Sequence, residues 1–331
     1  MDELRSGTAM TVALVVNPRA GKMSGKGLAL IERLIPSSGV EAVIIDRFEA
    51  LPGILAVLAG RNVDTLFISS GDGTIQAIQT ELAERNPFAR LPQLSLLPHG
   101  TTNMTAADLG LGIGDLDEQA RIISDPRALT ATTVLRRRPT LRIVNPRDGR
   151  LRHGMFVGAG AVWQATEFCQ DAVHRTGLKG EWATFATLAT AVARAMLTRA
   201  DPGDVTRIDR PHAIKVSADG LVRCDGQHLA FIATTLNRLI LGSRPFWGGA
   251  SAPIRATVFP YPTPSFARWL IPSLFGGEDR TPPPGAASFA AECIEIVTAS
   301  RFVMDGEFFD PPEVGPLNIE TGPEFAYVCR R

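Results

Sequence analysis

The chain has 331 residues, 45% hydrophobic and 21% charged, which supplies a sizeable core and excludes wholesale disorder. Lys plus Arg and Asp plus Glu each number 34, so the basic excess that marks a duplex-binding protein is missing and nucleic acid is not the expected partner. No uncharged apolar run reaches the roughly 18 to 20 residues needed to span a bilayer. The acidic start, Met1-Asp2-Glu3-Leu4-Arg5, precedes an apolar stretch too short for a signal peptide. Four cysteines (Cys169, Cys224, Cys293, Cys329) form no CxxC pair and fit reduced thiols. The length implies two domains, and the expectation is a soluble, cytoplasmic chain.

From residue 11 to about 135, short apolar runs alternate with helical periodicity. Thr11–Val16 is a buried strand by its unbroken apolar, β-branched run. Leu28, Ile31, Leu34 and Ile35 then recur at helical spacing. Ala42–Ile45, Thr65–Ile68 and Leu94–Leu97 read as further strands, with a helix marked by Ile75, Ile78 and Leu82 between the last two. This alternation implies βαβ units, a mostly parallel sheet covered on both faces, and ligands at the carboxyl ends of its strands. Beyond Arg136-Arg137-Arg138 the texture changes to short strands between turns: Leu141–Val144, Met155–Val157, Ala213–Val216, Leu229–Ile232 and Cys293–Val297. These predict an antiparallel β-sandwich. The expected division is a nucleotide-binding α/β domain over 1–135 and a β-rich substrate domain over 136–331.

Three polar, glycine-bearing loops follow strands of the first domain. Asn17-Pro18-Arg19-Ala20-Gly21-Lys22 follows the first strand, where backbone amides and a lysine meet a phosphate or else form an ordinary turn. Ser70-Gly71-Asp72-Gly73-Thr74 follows the third strand and opens a helix; it matches neither GxxxxGK[ST] nor GxGxxG. Its glycines admit a close backbone approach, and Asp72 reads as too exposed for a core role and placed for a metal–phosphate, the alternative being an Asx turn capping a helix. Pro98-His99-Gly100-Thr101-Thr102-Asn103 follows the fourth strand, with Thr101 and Asn103 as donors to phosphate or ribose, or with Thr102 or Asn103 as a plain helix cap. His99 reads as a loop histidine, and no second histidine stands at zinc-ligand spacing from it. Three such loops on one sheet edge point to a nucleotide site.

In combination these motifs resemble the diacylglycerol kinase catalytic family, which includes bacterial lipid kinases, sphingosine kinases and ceramide kinases. Asn17-Pro18…Gly21-Lys22 is similar to its NPxSG segment, and Ser70-Gly71-Asp72-Gly73-Thr74 to its GGDGT signature with Ser for the first Gly. Pro98–Asn103 followed by Ala106 and Leu109-Gly110 resembles PxGTxNxxAxxLG, and Asp305-Gly306-Glu307 resembles the DGE motif that returns from the second domain to the interdomain cleft. Gly158-Ala159-Gly160 and Asn237–Gly242 are weaker matches. The resemblance implies a fold of the NAD kinase and diacylglycerol kinase type. It also implies ATP- and Mg²⁺-dependent phosphoryl transfer to a hydroxyl of a diacylglycerol, ceramide or sphingoid base, with transient contact at the inner membrane face. It assigns the proton acceptor to Glu307 with Asp72 and Asp305 supporting, the metal to Asp72, and the nucleotide to Asn17, Pro18, Gly21, Lys22, Ser70, Gly71, Gly73, Thr74, Gly100, Thr101 and Asn103.

Departures from the family pattern are local. The stretch Trp247–Pro253 lacks the carboxylates that hold a structural Mg²⁺ in bacterial members, and Asp46-Arg47 replaces a nucleotide-contacting Thr. Read without the resemblance, Asp305-Gly306-Glu307 is a hairpin turn between Phe302–Met304 and Phe308-Phe309. The apolar run Trp182–Leu197 is a packed amphipathic helix or, by the resemblance, an acyl-chain wall. The aromatic stretch Phe259–Phe275 either enters a membrane interface or covers a satellite cluster, and Arg136–Arg138 either meets anionic headgroups or ends a strand in solvent. Two other readings stay open: an NAD kinase-like enzyme, and a non-catalytic nucleotide-binding regulatory module.

Overall fold

The computed structural model describes residues 10–112, 114–176, 194, 204, 207–262, 269, 272 and 274–331. These fall into two compact units, the chain to Arg138 together with Glu324–Arg331, and Pro139–Pro323. Sequence patterning carries the second domain to residue 331, whereas Glu324–Arg331 clusters with the first unit. The segment Trp182–Arg199, read as a helix, lies outside the described residues apart from Arg194, as do residues 263–268, 270, 271 and 273 of the aromatic stretch.

In the first unit, β1 (Val12–Val16), β2 (Glu41–Ile44), β3 (Thr65–Ser70) and β4 (Gln93–Pro98) form a parallel sheet in the order β2-β1-β3-β4. Every residue of β1 and β3 is buried, as an apolar strand covered on both faces requires. The connections carry α1 (Ala20–Met23), α2 (Lys26–Arg33), α3 (Leu51–Gly60), α4 (Asp72–Arg85), α5 (Met104–Leu109), α6 (Leu116–Ser124) and α7 (Pro126–Thr132). Val12, Leu14, Val16, Leu30, Phe67 and Leu97 belong to one of its core clusters. Register decides the position of the loops. Val16 pairs with Ser69, and Ser70 with Pro98, so β1, β3 and β4 finish level with one another at their carboxyl ends.

The second unit is antiparallel. Its elements are β5 (Thr133–Ile143), which begins in the first unit, β6 (Arg152–Gly154), β7 (Phe156–Gly160), α8 (Ala161–Thr176), β8 (His212–Ala218), β9 (Leu221–Thr234), β10 (Ile254–Pro260), β11 (Ala287–Ala291), β12 (Cys293–Thr298), β13 (Phe302–Met304), β14 (Glu307–Phe309) and the long β15 (Leu317–Arg330). β9 uses its first half to pair with β8 and its second half to pair with β7 on one side and β10 on the other. Along β8 and β12, buried and accessible residues alternate, so Ile214, Val216, Ile294 and Ile296 join Phe231, Ala256, Phe302 and Leu317 in one core. β15 pairs with β12 at Leu317–Glu320, and its far end re-enters the first unit, where Tyr327 lies parallel to Leu94 of β4 and its buried hydroxyl accepts from Gln79 Nε2 at 2.7 Å. No helix among the described residues is long and apolar enough to cross a membrane.

Candidate functional site

The three loops after β1, β3 and β4 interlock. Asn17 Nδ2 donates to Thr74 Oγ1 at 2.8 Å, tying the first loop to the second, while Asn17 Oδ1 accepts from Arg19 N at 2.9 Å. Gly21 has φ +56, and a Cβ there would stand 2.5 Å from the His99 carbonyl oxygen of the third loop. Glycine is required on both counts. Gly71 and Gly100 meet backbone to backbone: a Cβ on Gly100 would overlap Gly71 Cα, and one on Gly71 would lie 3.2 Å from Gly100 Cα. Gly71 itself is extended (φ −100), so closeness and not conformation demands glycine at that position.

Asp72 holds this contact in place. It is the first residue of α4, yet its side chain serves α5: Oδ2 accepts from Met104 N at 3.0 Å and Oδ1 from Thr105 N at 2.9 Å. These are the first two amides of α5, whose own N-cap residue, Asn103, makes no capping bond. A carboxylate there meets orphan donors and the positive end of the helix dipole. The sequence reading of Asp72 as too exposed for a core role is corrected, since the residue is 8% exposed. Its neighbours on the far loop, invisible in local sequence, bury it. Desolvation raises its pKa above the usual carboxylate value, and the Thr105 and Met104 amides oppose that rise.

Asn103 sits in the left-handed region (φ +51), where Asn is tolerated, and staples its own loop: Gly100 N donates to Oδ1 at 2.6 Å and Nδ2 donates to the Gly100 carbonyl at 2.9 Å. The buried Ser69 Oγ is within 2.8 Å of His99 Nδ1, a bond between the second and third loops that the sequence did not disclose. Burial, and secondarily the Lys26 ammonium, lowers the His99 pKa to about 4, so its ring is neutral at physiological pH. Asn17, Pro18, Ser69 and His99, with Lys26 and Gly27 at the start of α2, line a shallow surface depression. Gly73 lies in the first turn of α4, which has no side-chain cap; Thr101 is half-buried, and Ser70 Oγ is buried without a hydrogen-bond partner. The Lys22 side chain lies outside the described part of the structure.

In the second unit, Asp305 and Gly306, both at positive φ (+49 and +89), turn β13 into β14, as a two-residue Asp-Gly hairpin does. Asp305 repeats the arrangement of Asp72. It is buried, and its two oxygens accept from two successive amides, Met155 N at 2.9 Å and Phe156 N at 3.0 Å. A Cβ on Gly154 would overlap its carboxylate. Glu307, the first residue of β14, is exposed. In the turn at Trp247–Pro253, Trp247 N and Gly248 N donate to Ser288 Oγ at 2.8 and 3.2 Å. Among the described residues no three His, Cys, Asp or Glu side chains gather as a metal site.

Two measurements check this geometry. Gly100→Ala forces the second and third loops apart and lowers the unfolding free energy by about 1–3 kcal/mol, read by urea denaturation; an unchanged midpoint contradicts the contact. Because His99 is held below its ordinary pKa, the folded chain binds fewer protons there than the unfolded chain between pH 6.5 and about 4. Stability conferred by its neutral ring is therefore complete above pH 6.5 and declines as pH falls through that window. A His99→Asn variant lacks this part of the acid slope.

Residues 11–134 match the family model described as diacylglycerol kinase catalytic domain. No match was found among curated protein sequences. Among solved structures, a diacylglycerol kinase from Bacillus anthracis str. Sterne superposes with TM-score 0.62 at 20% identity, covering 96% of each chain. A candidate diacylglycerol kinase from the same organism superposes with TM-score 0.64 at 18% identity, covering 98% of this chain and 97% of that one. The mixed architecture, parallel strands first and antiparallel strands after, is thus a fold shared with those bacterial proteins over nearly the whole length, and its interlocked loops fall in a stretch with the sequence pattern of a diacylglycerol kinase catalytic domain.

Proposed function

We propose that the chain is an ATP-dependent lipid kinase that transfers the γ-phosphoryl group of ATP to a hydroxyl of a lipid acceptor: a diacylglycerol, a ceramide or a sphingoid base. The observation that carries this reading is the Gly71–Gly100 contact inside the matched stretch, which leaves backbone bare at the level carboxyl ends of β3 and β4. Phosphoryl transfer is chiefly a matter of positioning and charge, and it needs donors fixed before the substrate arrives. Bare glycine backbone, the uncapped start of α4 and the unpartnered Ser70 Oγ are a donor set that suits phosphate oxygens.

ATP bound there with Mg²⁺ would supply the transferable phosphoryl group and a cation to neutralise its charge. The donor set for the metal is sparse: Asp72 is one carboxylate, and each of its oxygens already accepts a backbone amide. This suits an ion held mainly by phosphates and water, with at most one or two carboxylates. In this reading Asn17 orients Thr74, Asn103 shapes the Gly100–Thr101 backbone that faces phosphate, and Lys22 adds a positive charge. Pro18, Gly21 and Gly73 fix the path of the first two loops. Asp72 has two tasks, holding α5 and presenting negative charge to the cation. Glu307 takes the acceptor's proton, and Asp305 sets the hairpin that carries it.

The test is incubation with radiolabelled ATP, Mg²⁺ and a mixed lipid extract, followed by mass spectrometry of the labelled product. Labelled lipid is expected, with Glu307→Gln lowering kcat at least a hundredfold while leaving the KM for ATP within about threefold. Label in a nicotinamide nucleotide, or in no product, contradicts the proposal.

A further inference from the structure

The hydrogen bond between Ser69 and His99 is a costly arrangement for its place in the fold. Ser69 Oγ and His99 Nδ1 stand 2.8 Å apart, on residues only 1% and 4% exposed. Two apolar side chains of similar shape would fill that space without surrendering water, so packing alone does not call for a hydroxyl and an imidazole. What the polar pair adds is direction. A hydrogen bond fixes the orientation of the ring, and a buried bond fixes it more firmly than one in water.

Two glycines of other elements rest on this pair. A Cβ on Gly27, in the first turn of α2, would stand 2.7 Å from Ser69 Oγ and would overlap Val16 Cγ1. A Cβ on Gly21, in the first loop, would stand 2.5 Å from the His99 carbonyl oxygen. The first loop and the start of α2 are therefore seated on His99 and Ser69 themselves. The residues that follow the pair are Ser70, whose Oγ has no partner, and Gly100, whose backbone meets that of Gly71. Lys26, the first residue of α2, lines the same depression as Asn17, Pro18, Ser69 and His99, so the seat of α2 also sets where that charge stands. We propose that Ser69 and His99 are positioning residues of the nucleotide site: their bond holds the Ser70 and Gly100 loops and the start of α2 in one geometry, and ATP affinity depends on it. The proposal rests on the nucleotide-binding part of the lipid-kinase reading and assigns neither residue a chemical step.

The test separates affinity from stability. Ser69→Ala combined with His99→Phe removes both polar partners and keeps a ring in place, so neither is left buried and unpaired. The urea unfolding midpoint is expected to hold or rise. Binding of ATP with Mg²⁺, read by isothermal titration calorimetry, is expected to weaken roughly tenfold in this double variant. Its KM for ATP rises in step, while kcat stays within about threefold of the wild type. His99→Asn, whose side-chain amide can bond Ser69 as the imidazole does, is expected to keep ATP affinity within about threefold. Unchanged ATP affinity in the double variant overturns the proposal. So does a loss of affinity matched by a lower midpoint, or an equal loss in His99→Asn, because the pair would then only support the fold. Phosphoryl transfer to lipid is measured alongside. The expected affinities without labelled lipid count against the kinase reading alone. Labelled lipid made by the wild type and the double variant with the same KM for ATP counts against the positioning role alone, and a wild type that binds no ATP contradicts both.

Discussion

The candidate site depends on one buried carboxylate receiving two consecutive backbone amides from another loop. Asp72 takes the first N–H groups of α5 although it begins α4. Burying an ionised carboxylate is costly unless donors replace its water. The two amides, their helix dipole and the short distances provide that replacement, while the raised pKa shows that burial still outweighs them. This opposition makes the clamp selective. Asn would present an N–H₂ to one of the two amides and lose a bond, and Glu would carry its carboxylate one methylene too far. The Ser70–Pro98 pairing brings the Gly71 and Gly100 backbones together, and the clamp fixes α5 against α4 beside that contact, giving an edge on which donors stand ready.

The same device recurs at Asp305, which takes the Met155 and Phe156 amides from inside a hairpin. In both units an Asp-Gly step follows a strand, and in both the aspartate fastens a neighbouring segment. Rigid loops supported from below suit a site that must hold charge in a set geometry, because donors already in place need no reorganisation when a charged group arrives. The polar burden of such a site appears nearby in Ser70 Oγ, buried without a partner, and in the Ser69–His99 bond, whose imidazole desolvation keeps neutral.

Much of the frame was legible in the chain. Largely apolar runs located β1, β3 and β4 to within two residues at either end, because a parallel strand buried on both faces favours such a composition. Their shared orientation then placed three glycine-bearing loops on one edge. The Asp-Gly turn of the DGE segment was legible for the same local reason, as positive φ at two successive positions selects those residues. Legibility stopped where partners are distant in sequence. Asp72 looked exposed because the amides that bury it belong to residues 104 and 105. His99 is the loop residue its sequence suggests, but its burial and its bond to Ser69, at the end of another strand, were not legible. β15 divides its pairing between two units within one continuous run, so no change of pattern marks the crossing.

The clamp can be observed directly by amide hydrogen exchange at Met104 and Thr105 in the wild type and in Asp72→Asn. The first amides of a helix normally exchange fast because they lack intrahelical partners. If Asp72 holds α5, both amides are protected in the wild type. In the variant at least one then exchanges at an unprotected rate, more than tenfold faster, with the amides of β1 and β3 unaffected. Fast exchange at both positions in the wild type, or unaltered protection after the substitution, would contradict the clamp.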